Sequence, residues 1–334
     1  MLASAKNINS ISSDLNFWTI SEYYGHGKLL LTSEYAVLDG ALALAIPTRY
    51  GQKMKVKKTS KSDLYWYSYD HKGEEWFRAQ ISLMDFSAIK TTDEFKAAYL
   101  QKLLKGAVRL NSEFLSKWNG FDVKTYLEFP RDWGLGSSST LTYLLAQWAD
   151  VNPLLLHFEV SEGSGYDVAC AGADSPIQYS LQDDTINYSE IDFEPPFIDK
   201  LYFVHLNRKA SSPAAVEYYF NNVKGRKSLA AKLTEITEQM LGTRSFKSFC
   251  ESVKTHEELL AENLKMKSVG QELFQDFKGV VKSLGAWGGD FVMACSDESP
   301  DNIKSYFRSK GYETVMGFNE MIYFEQDVRK LSEV

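Results

Sequence analysis

A glycine loop that leads directly into an apolar helix constrains this chain more than any other stretch. The loop is Gly134-Leu135-Gly136-Ser137-Ser138-Ser139, and residues 141–149 after it have the length and apolar spacing of a helix packed against a core. The two glycines allow a tight turn and close approach to a ligand, and the serines can cap the first helical turn. Such a helix start favours a phosphate, because its free amides and the positive end of the helix dipole point the same way. The alternative is an ordinary capped helix after a glycine turn.

Two other stretches each contain one charged residue in a setting that suits catalysis. Lys28 lies between a glycine-containing segment and the apolar run 29–31, and Asp167 follows Gly165-Tyr166 among small and apolar residues. If the second segment is helical, Asp167 lies in its first turn, where the helix dipole stabilises the charged form. Two ordinary interpretations stay open, namely a surface lysine at the entrance of a strand and an aspartate that caps a helix.

Length and charge limit the classes of protein to which the chain can belong. Its 334 residues are long for one core and predict two domains, 1–196 and 197–334, with Pro195-Pro196 as the linker. A hydrophobic content of 44% with 24% charged residues is typical of a soluble globular protein. The 37 Lys and Arg residues against 44 Asp and Glu give 37 − 44 = −7, and the basic residues are spread along the chain. We therefore expect no nucleic-acid partner and no membrane surface.

The cysteines and the N-terminal segment favour a cytoplasmic protein. Cys170, Cys250 and Cys295 are far apart in sequence and lack CxxC spacing, which argues against a disulfide framework and a zinc site. Residues 1–16 are rich in Ser and Asn and do not form a secretory signal, and no run approaches the ~20 apolar residues of a membrane span. We expect a monomer or a homodimer.

The order of the predicted elements indicates an α+β architecture, because both halves mix helices with mostly antiparallel strands. A first strand at 17–22 is expected to break at 23–28, and a second at 41–46 is expected to end at Pro47. The aromatic and lysine-rich stretch 53–81 is predicted as antiparallel strands, although nucleic-acid stacking platforms have a similar pattern. Further strands are predicted at 121–129, 201–206, 291–295 and around 315 and 322, with a hairpin at 175–191. Helices are predicted at 92–115, 153–158 and 301–310, and three or four more within 213–283.

Three motifs taken together resemble the ordered motifs of the GHMP kinases, the family of galactokinase, homoserine kinase, mevalonate kinase and phosphomevalonate kinase. They are Gly27-Lys28-Leu29-Leu30-Leu31 with Glu34-Tyr35-Ala36-Val37, the loop 134–139, and Gly285-x-x-Gly288-Gly289-Asp290. The resemblance spans residues 17 to about 324 and is strongest to the phosphomevalonate kinase branch, with mevalonate kinase close behind. The loop 206–213 is similar to the substrate loop of that branch. Ser33 replaces the usual glycine before Glu34, and Trp287 stands where a small residue is usual and would narrow the site.

The resemblance implies a fold, a reaction and a set of site residues. The fold has an N-terminal α/β nucleotide-binding domain and a C-terminal ferredoxin-like α+β domain. The reaction is transfer of the ATP γ-phosphoryl group to mevalonate or phosphomevalonate, a step in isoprenoid precursor synthesis. Lys28 would neutralise charge on the γ-phosphate, and Asp167, kept ionised by an ion pair with Lys28, would accept or orient the acceptor proton. Two alternatives remain, a GHMP kinase for another acceptor such as a sugar or homoserine, and a non-catalytic nucleotide-binding homologue.

The remaining site residues follow from the same resemblance. The amides of Gly134, Leu135, Gly136, Ser137, Ser138 and Ser139 would hold the triphosphate of ATP. Ser138 would hold Mg²⁺ together with either Glu159 or Glu162. The acceptor would be bound by His26, Lys209, Ser211 and Ser212. The loop with Gly285, Gly288 and Gly289 would lie close to the phosphates.

Overall fold

The larger of two β-sheets contains eight strands. The computed structural model describes residues 20–117, 119–183, 185–209, 212–285 and 289–324. The strands of the larger sheet are β1 Ile20–Leu30, β2 Ala43–Thr59, β3 Leu64–Tyr69, β4 Glu75–Ile81, β5 Ala88–Thr91, β6 Gly120–Leu127, β7 Ile177–Gln182 and β8 Thr185–Glu190. Their order is β5-β4-β3-β6-β2-β7-β8, with β1 paired to β2. The β3–β6 pair is parallel, and the other pairs are antiparallel.

Four strands from the second half of the chain form the smaller sheet, β9 Leu201–His205, β10 Val280–Ser283, β11 Phe291–Cys295 and β12 Val315–Gly317. They pair antiparallel in the order β10-β11-β9-β12. Helices separate β9 from β10 and β11 from β12, which gives the β-α-β-β-α-β order of a ferredoxin-like unit. The α+β prediction is therefore confirmed.

Ten α-helices lie within the described residues, and several begin where the sequence supplies a cap. They are α1 Glu94–Leu110, α2 Ser137–Ala149, α3 Pro153–Val160, α4 Tyr166–Ala171, α5 Ser212–Asn222, α6 Arg226–Gly242, α7 Phe246–Leu264, α8 Val269–Leu273, α9 Pro300–Ser309 and α10 Phe318–Met321. The Asp93 side chain accepts from the Lys96 amide at the start of α1. Asn152 and Ser299 cap α3 and α9 in the same way, each followed by a proline at the first helical position.

Three strand predictions are wrong. Strand β1 runs unbroken through 23–28, because its glycines allow close packing: a Cβ atom on Gly27 would lie 2.7 Å from the Tyr50 carbonyl oxygen. Strand β2 continues past Pro47. This proline pairs with Lys28 beside a register shift in β1, and at such a shift the sheet tolerates a residue without an amide hydrogen. The predicted strand around residue 322 is a single bridge from Ile322 to Thr48 after α10.

One hydrophobic cluster connects the two sheets. It contains Leu29, Leu44 and Phe129 from the first half of the chain together with Phe203 and Phe291 from the second half. The halves therefore bury apolar surface against each other, and the loops at their junction are held in fixed positions. No helix among the described residues has the length and apolar character needed to cross a membrane.

Candidate active site

A cleft of about 1090 Å³ lies between the two halves of the chain. Its walls come from β1, the loop before α2, the start of α4, α5 and the loop after β10. Many of the residues that the sequence singles out are therefore brought together, although they are distant along the chain. Among the described lining residues the basic side chains are Lys28, Arg131 and Lys209, and the acidic ones are Glu162, Asp167, Glu217 and Asp290.

The glycine loop enters α2 without a side-chain cap. Gly136 is the N-cap residue with φ 91°, and no side chain caps the helix there. The prediction of serine caps is wrong, because the Ser139 hydroxyl donates to the Gly136 carbonyl at 2.8 Å and the Ser138 hydroxyl donates to the Tyr99 hydroxyl at 2.8 Å. Since the first amides of a helix have no partner within it, the start of α2 keeps donors for an anionic ligand.

Lys28 is joined to the glycine loop by two hydrogen bonds. Its Nζ donates to the Gly134 carbonyl at 2.9 Å, and its backbone amide donates to the Leu135 carbonyl at 3.0 Å. A Cβ atom on Gly136 would lie 3.3 Å from the Lys28 Cε, so glycine at 136 leaves the side chain room to lie along the loop. The ammonium group is therefore held at the edge of the phosphate-favouring loop.

Asp167 lies in the first turn of α4, as predicted, and lines the same cleft as Lys28. Gly165 precedes the helix with φ 82°, and the Asp167 Oδ1 accepts from the Val168 amide at 3.0 Å. The expected ion pair is not formed, because the Lys28 ammonium donates to the Gly134 carbonyl instead. The two side chains thus share the cleft and remain separate from each other.

Residues from the second half of the chain pack against the glycine loop. Gly285 has φ 67° and lines the cleft, and the Asp290 carboxylate lies against Gly134. A Cβ atom on Gly134 would collide with that carboxylate, and φ at Gly134 is 65°, so both sterics and backbone conformation require glycine there. Gly289 is buried but does not line the cleft. Gly288 and Trp287 lie outside the described residues.

The predicted substrate loop contributes a basic group, and an apolar wall lies beside it. Lys209 lines the cleft and donates to the Arg131 carbonyl at 3.0 Å, and Ser212 lines it at the first residue of α5. Ser211 lies outside the described residues. Apolar side chains of α5 and of the segment after β1 also line the cleft, among them Val37, Leu38, Val216 and Phe220.

Besides Gly289, two predicted site residues of the described chain do not line the cleft. His26 stacks on Tyr323 with ring centroids 3.9 Å apart, its Nδ1 lies 3.1 Å from the Thr48 carbonyl, and burial lowers its pKa. Glu159 forms an ion pair with Arg109 of α1 at 2.7 Å. Neither lines the cleft, whereas Glu162 does.

Comparison with known proteins identifies the fold. The sequence matches no known family model and no curated protein. The Methanococcus jannaschii mevalonate kinase is 14% identical and superposes with a TM-score of 0.67 over 92% of this chain and 99% of its own. The Streptococcus pneumoniae phosphomevalonate kinase, in complex with phosphomevalonate and AMPPNP, is 18% identical with a TM-score of 0.68 over 89% and 99%. The Lactococcus lactis galactokinase, in complex with galactose, is 13% identical with a TM-score of 0.67 over 87% and 89%. The chain has the GHMP kinase fold.

Within this GHMP kinase fold, Ser33 has a backbone conformation that favours glycine, the residue expected there from the sequence resemblance. Its φ is 62°, a left-handed conformation that costs a residue with a Cβ atom free energy. The Ser33 hydroxyl donates to the Leu42 carbonyl at 2.6 Å, and its amide donates to the His256 Nε2 at 2.9 Å. These hydrogen bonds offset the strain.

A buried ion-pair network links the two halves of the GHMP kinase fold behind the cleft. Lys282 of β10 is fully buried and donates to Glu34 Oε1 at 2.6 Å, and its Nζ lies 3.5 Å from Glu257 Oε1. Glu257 Oε2 accepts from both the amide and the hydroxyl of Ser283. Burial raises the pKa of Glu34 to about 7. The network connects the segment after β1 to the strand that leads to Gly285.

Sequence reasoning missed several cleft residues, among them Arg131, Tyr35 and Glu217. Arg131 had a detectable signal, since it stands just before the glycine loop. Glu217 had none, because one acidic residue in a partly apolar surface helix resembles any solvent-exposed position.

Proposed function

We propose that the protein transfers the γ-phosphoryl group of ATP to a small acceptor, either the hydroxyl of mevalonate or the phosphate of phosphomevalonate. The observation that carries this proposal is the presence of Lys28, Asp167 and the uncapped start of α2 in one cleft. The fold shared with mevalonate, phosphomevalonate and galactose kinases supports it. Phosphoryl transfer needs positioning and charge neutralisation more than covalent chemistry, and the cleft offers groups for both.

Each group in the cleft has a role that its chemistry suits. The amides of the loop 134–139 bind the phosphate oxygens, and the Lys28 ammonium neutralises charge on the γ-phosphoryl group as it is transferred. The Asp167 carboxylate orients the accepting oxygen, and it accepts the proton when that oxygen is a hydroxyl. Because the Lys28 Nζ is held by the Gly134 carbonyl, its charge is already directed along the loop.

The donor set of the cleft fits a magnesium ion bound together with phosphate. Ser138 and Glu162 supply oxygen atoms, the ligand type that Mg²⁺ prefers, and both line the cleft. No group of three or more His, Cys, Asp or Glu side chains suited to a metal occurs in the part of the chain that the structure describes. Phosphate oxygens would therefore complete the coordination. When bound, the ion would neutralise negative charge on the phosphates. The three basic residues of the cleft do not offset that charge, because four acidic residues line the same cleft.

The apolar wall favours a mevalonate-type acceptor over a sugar. Val37, Leu38, Val216 and Phe220 line the cleft on the side of the substrate loop. A branched hydroxy acid can bury its methyl and methylene groups against such a wall, whereas a sugar would lose water from several hydroxyl groups without gaining hydrogen bonds. The Lys209 ammonium is available for a carboxylate or phosphate of the acceptor.

An acceptor panel tests the proposal. ADP release is measured with ATP and Mg²⁺ in the presence of mevalonate, phosphomevalonate, galactose or homoserine, with a reaction lacking acceptor as the background. We expect turnover above background with mevalonate or phosphomevalonate. Turnover with galactose or homoserine alone would identify another small-molecule kinase, and ATP binding without turnover on any acceptor would contradict the proposal.

A further inference from the structure

Away from the cleft, two of the three cysteines lie side by side. Cys250 is near the start of α7, and Cys295 is the last residue of β11. Both residues line a second cavity of about 740 Å³, and Cys250 packs against the hydrophobic cluster that contains Cys295. Cys295 is fully buried, whereas Cys250 is only half-buried. A small solute can therefore reach one sulfur of the pair from solvent.

The surroundings make Cys250 the more reactive sulfur. The hydrogen bond with Cys295 lowers the pKa of the Cys250 thiol and raises that of Cys295, whose burial acts in the same direction. The ammonium of Lys200 also favours the Cys250 thiolate, while burial and the Asp297 carboxylate oppose it. Lys200 forms an ion pair with Asp297 and lies 4.7 Å from the centroid of the Phe246 ring. A thiolate is the nucleophilic form of cysteine, so this arrangement activates Cys250, the half-buried cysteine of the pair.

The arrangement combines an accessible, activated sulfur with a buried partner in contact. We propose that Cys250 and Cys295 form a reversible dithiol oxidation site that takes a peroxide as its oxidant. This arrangement is typical of redox-sensitive cysteine pairs, in which one sulfur is oxidised and the other resolves it. The proposal is independent of the kinase reaction.

The chemistry balances with hydrogen peroxide as the only co-reactant. The Cys250 thiolate attacks one peroxide oxygen, the O–O bond breaks, and the Cys250 sulfenic acid forms while hydroxide leaves and is protonated to water. The Cys295 sulfur then attacks the sulfenic sulfur, the S–S bond forms, and the S–O bond breaks. The hydroxyl group leaves as a second water with the proton of the Cys295 thiol. Two thiols are oxidised and one peroxide is reduced to two waters.

The disulfide would join two elements that the sequence separates. It would close a loop of 295 − 250 = 45 residues and connect α7 to β11, which lies between β10 and β9 in the smaller sheet. Both side chains line the same cavity, and the bond requires their two sulfur atoms to close to about 2.0 Å.

Thiol counting on the full chain tests the proposal. The protein is treated with a small excess of hydrogen peroxide, unfolded in N-ethylmaleimide, and measured by intact mass and by peptide mapping. We expect the number of maleimide adducts to fall from three to 3 − 2 = 1, with a cross-linked peptide pair containing Cys250 and Cys295 that dithiothreitol removes. Three adducts after treatment, a cross-link to Cys170, or sulfinic acid in place of the disulfide would each overturn it.

Three variants sharpen the result. Cys250→Ser changes the half-buried position, and we expect its two remaining thiols to resist the same peroxide dose. Cys295→Ser should retain a sulfenic acid at position 250 that reacts with dimedone. Cys170→Ala is the control, and it should still form the disulfide. Since Cys295 is fully buried, Cys250→Ser is the decisive variant if Cys295→Ser does not fold, and oxidation of Cys250→Ser at the wild-type rate would contradict the proposal.

Discussion

At the scale of single residues, the side chains of the cleft have different partners and can therefore be tested one at a time. Lys209 lines the cleft, while its neighbour Arg208 is exposed and does not. We predict that Lys209→Ala raises the KM for the acceptor at least about tenfold, a loss of ~1.4 kcal/mol, with little change in the KM for ATP. Steady-state kinetics on both substrates measure this, with Arg208→Ala as the matched control. An unchanged acceptor KM in Lys209→Ala would mean that the substrate loop does not bind the acceptor.

The two candidate magnesium ligands form a second matched pair. Glu162 lines the cleft, whereas Glu159 is neutralised by Arg109 outside it. We predict that Glu162→Gln raises the Mg²⁺ concentration needed for half-maximal turnover about tenfold or more, since a neutral amide binds a hard cation more weakly than a carboxylate. Calorimetric titration of Mg·ATP should show the same order of affinities, with Glu159→Gln close to the wild type. Equal effects of the two substitutions would remove Glu162 from the metal site.

Some residue positions could be predicted from the sequence, and others could not. Lys28, Asp167 and the loop 134–139 line one cleft, and the glycines with positive φ at 134, 136 and 165 that shape the local backbone could be recognised in the sequence. His26 could not be placed from its position in the chain. It is only two residues from Lys28, but the register shift between them gives the two side chains different surroundings.

At the scale of elements, β10 shows why burial cannot always be predicted from the sequence. Its four residues include Lys282, and lysine is rarely buried. The sequence also predicts that this stretch lies at the end of a helical region. The lysine is buried because Glu34 and Glu257, from two other elements, neutralise it. Only the folded chain brings these three residues together, so the pattern along the sequence carries no signal for the network.

The same network predicts a pH dependence of stability. The network holds one ammonium group, that of Lys282, between two carboxylates. Burial raises the pKa of Glu34 from 4.5 to about 7 and also raises the pKa of Glu257. Burial lowers the pKa of His256, which lies beside them. The folded state therefore binds the Glu34 proton more tightly than the unfolded state does. This contribution to the free energy of unfolding is fully present below about pH 4.5 and is lost as the pH rises through about 7. His256 acts in the opposite direction, because stability is lost when the pH falls below its unfolded pKa.

The Glu34→Gln variant isolates the first contribution, because glutamine mimics the protonated carboxyl group and leaves His256 unchanged. We predict that the unfolding free energy of Glu34→Gln rises relative to that of the wild type between pH 5 and pH 8. Urea unfolding of both proteins across this range measures the difference between their free energies of unfolding. The contribution of His256 is present in both proteins and cancels in this difference. Parallel curves for the two proteins would show that Glu34 does not hold a proton in the folded state.

At the scale of the whole molecule, the two halves share a core. The proposed boundary near residue 196 lies between β8 of the larger sheet and β9 of the smaller one, yet a single cluster contains side chains from both sheets. Trp133 of the first half also packs against Phe291 of the second, with ring centroids 5.6 Å apart. The alternation of elements allowed the two sheets to be predicted, whereas the shared core depends on contacts between distant segments.

We predict one cooperative unfolding transition for the full chain, because separating 1–196 from 197–334 would expose the shared core. Far-ultraviolet circular dichroism and tryptophan fluorescence should give the same midpoint in urea, and the fragment 1–196 alone should aggregate or remain partly unfolded. Two separate transitions, or a stable isolated fragment, would show that the halves fold independently.

The turnover of Asp167→Asn tests the central proposal most directly. Asparagine keeps the size of the side chain but accepts protons poorly and carries no charge to orient the acceptor. The kcat should therefore fall by about 10² to 10⁴ on a hydroxyl acceptor such as mevalonate, while the affinity for ATP stays close to that of the wild type. Asp174→Asn, the same substitution at an exposed position that does not line the cleft, should leave both unchanged. Full turnover by Asp167→Asn on the acceptor that the wild type uses would mean that Asp167 stabilises the start of α4 and takes no part in phosphoryl transfer.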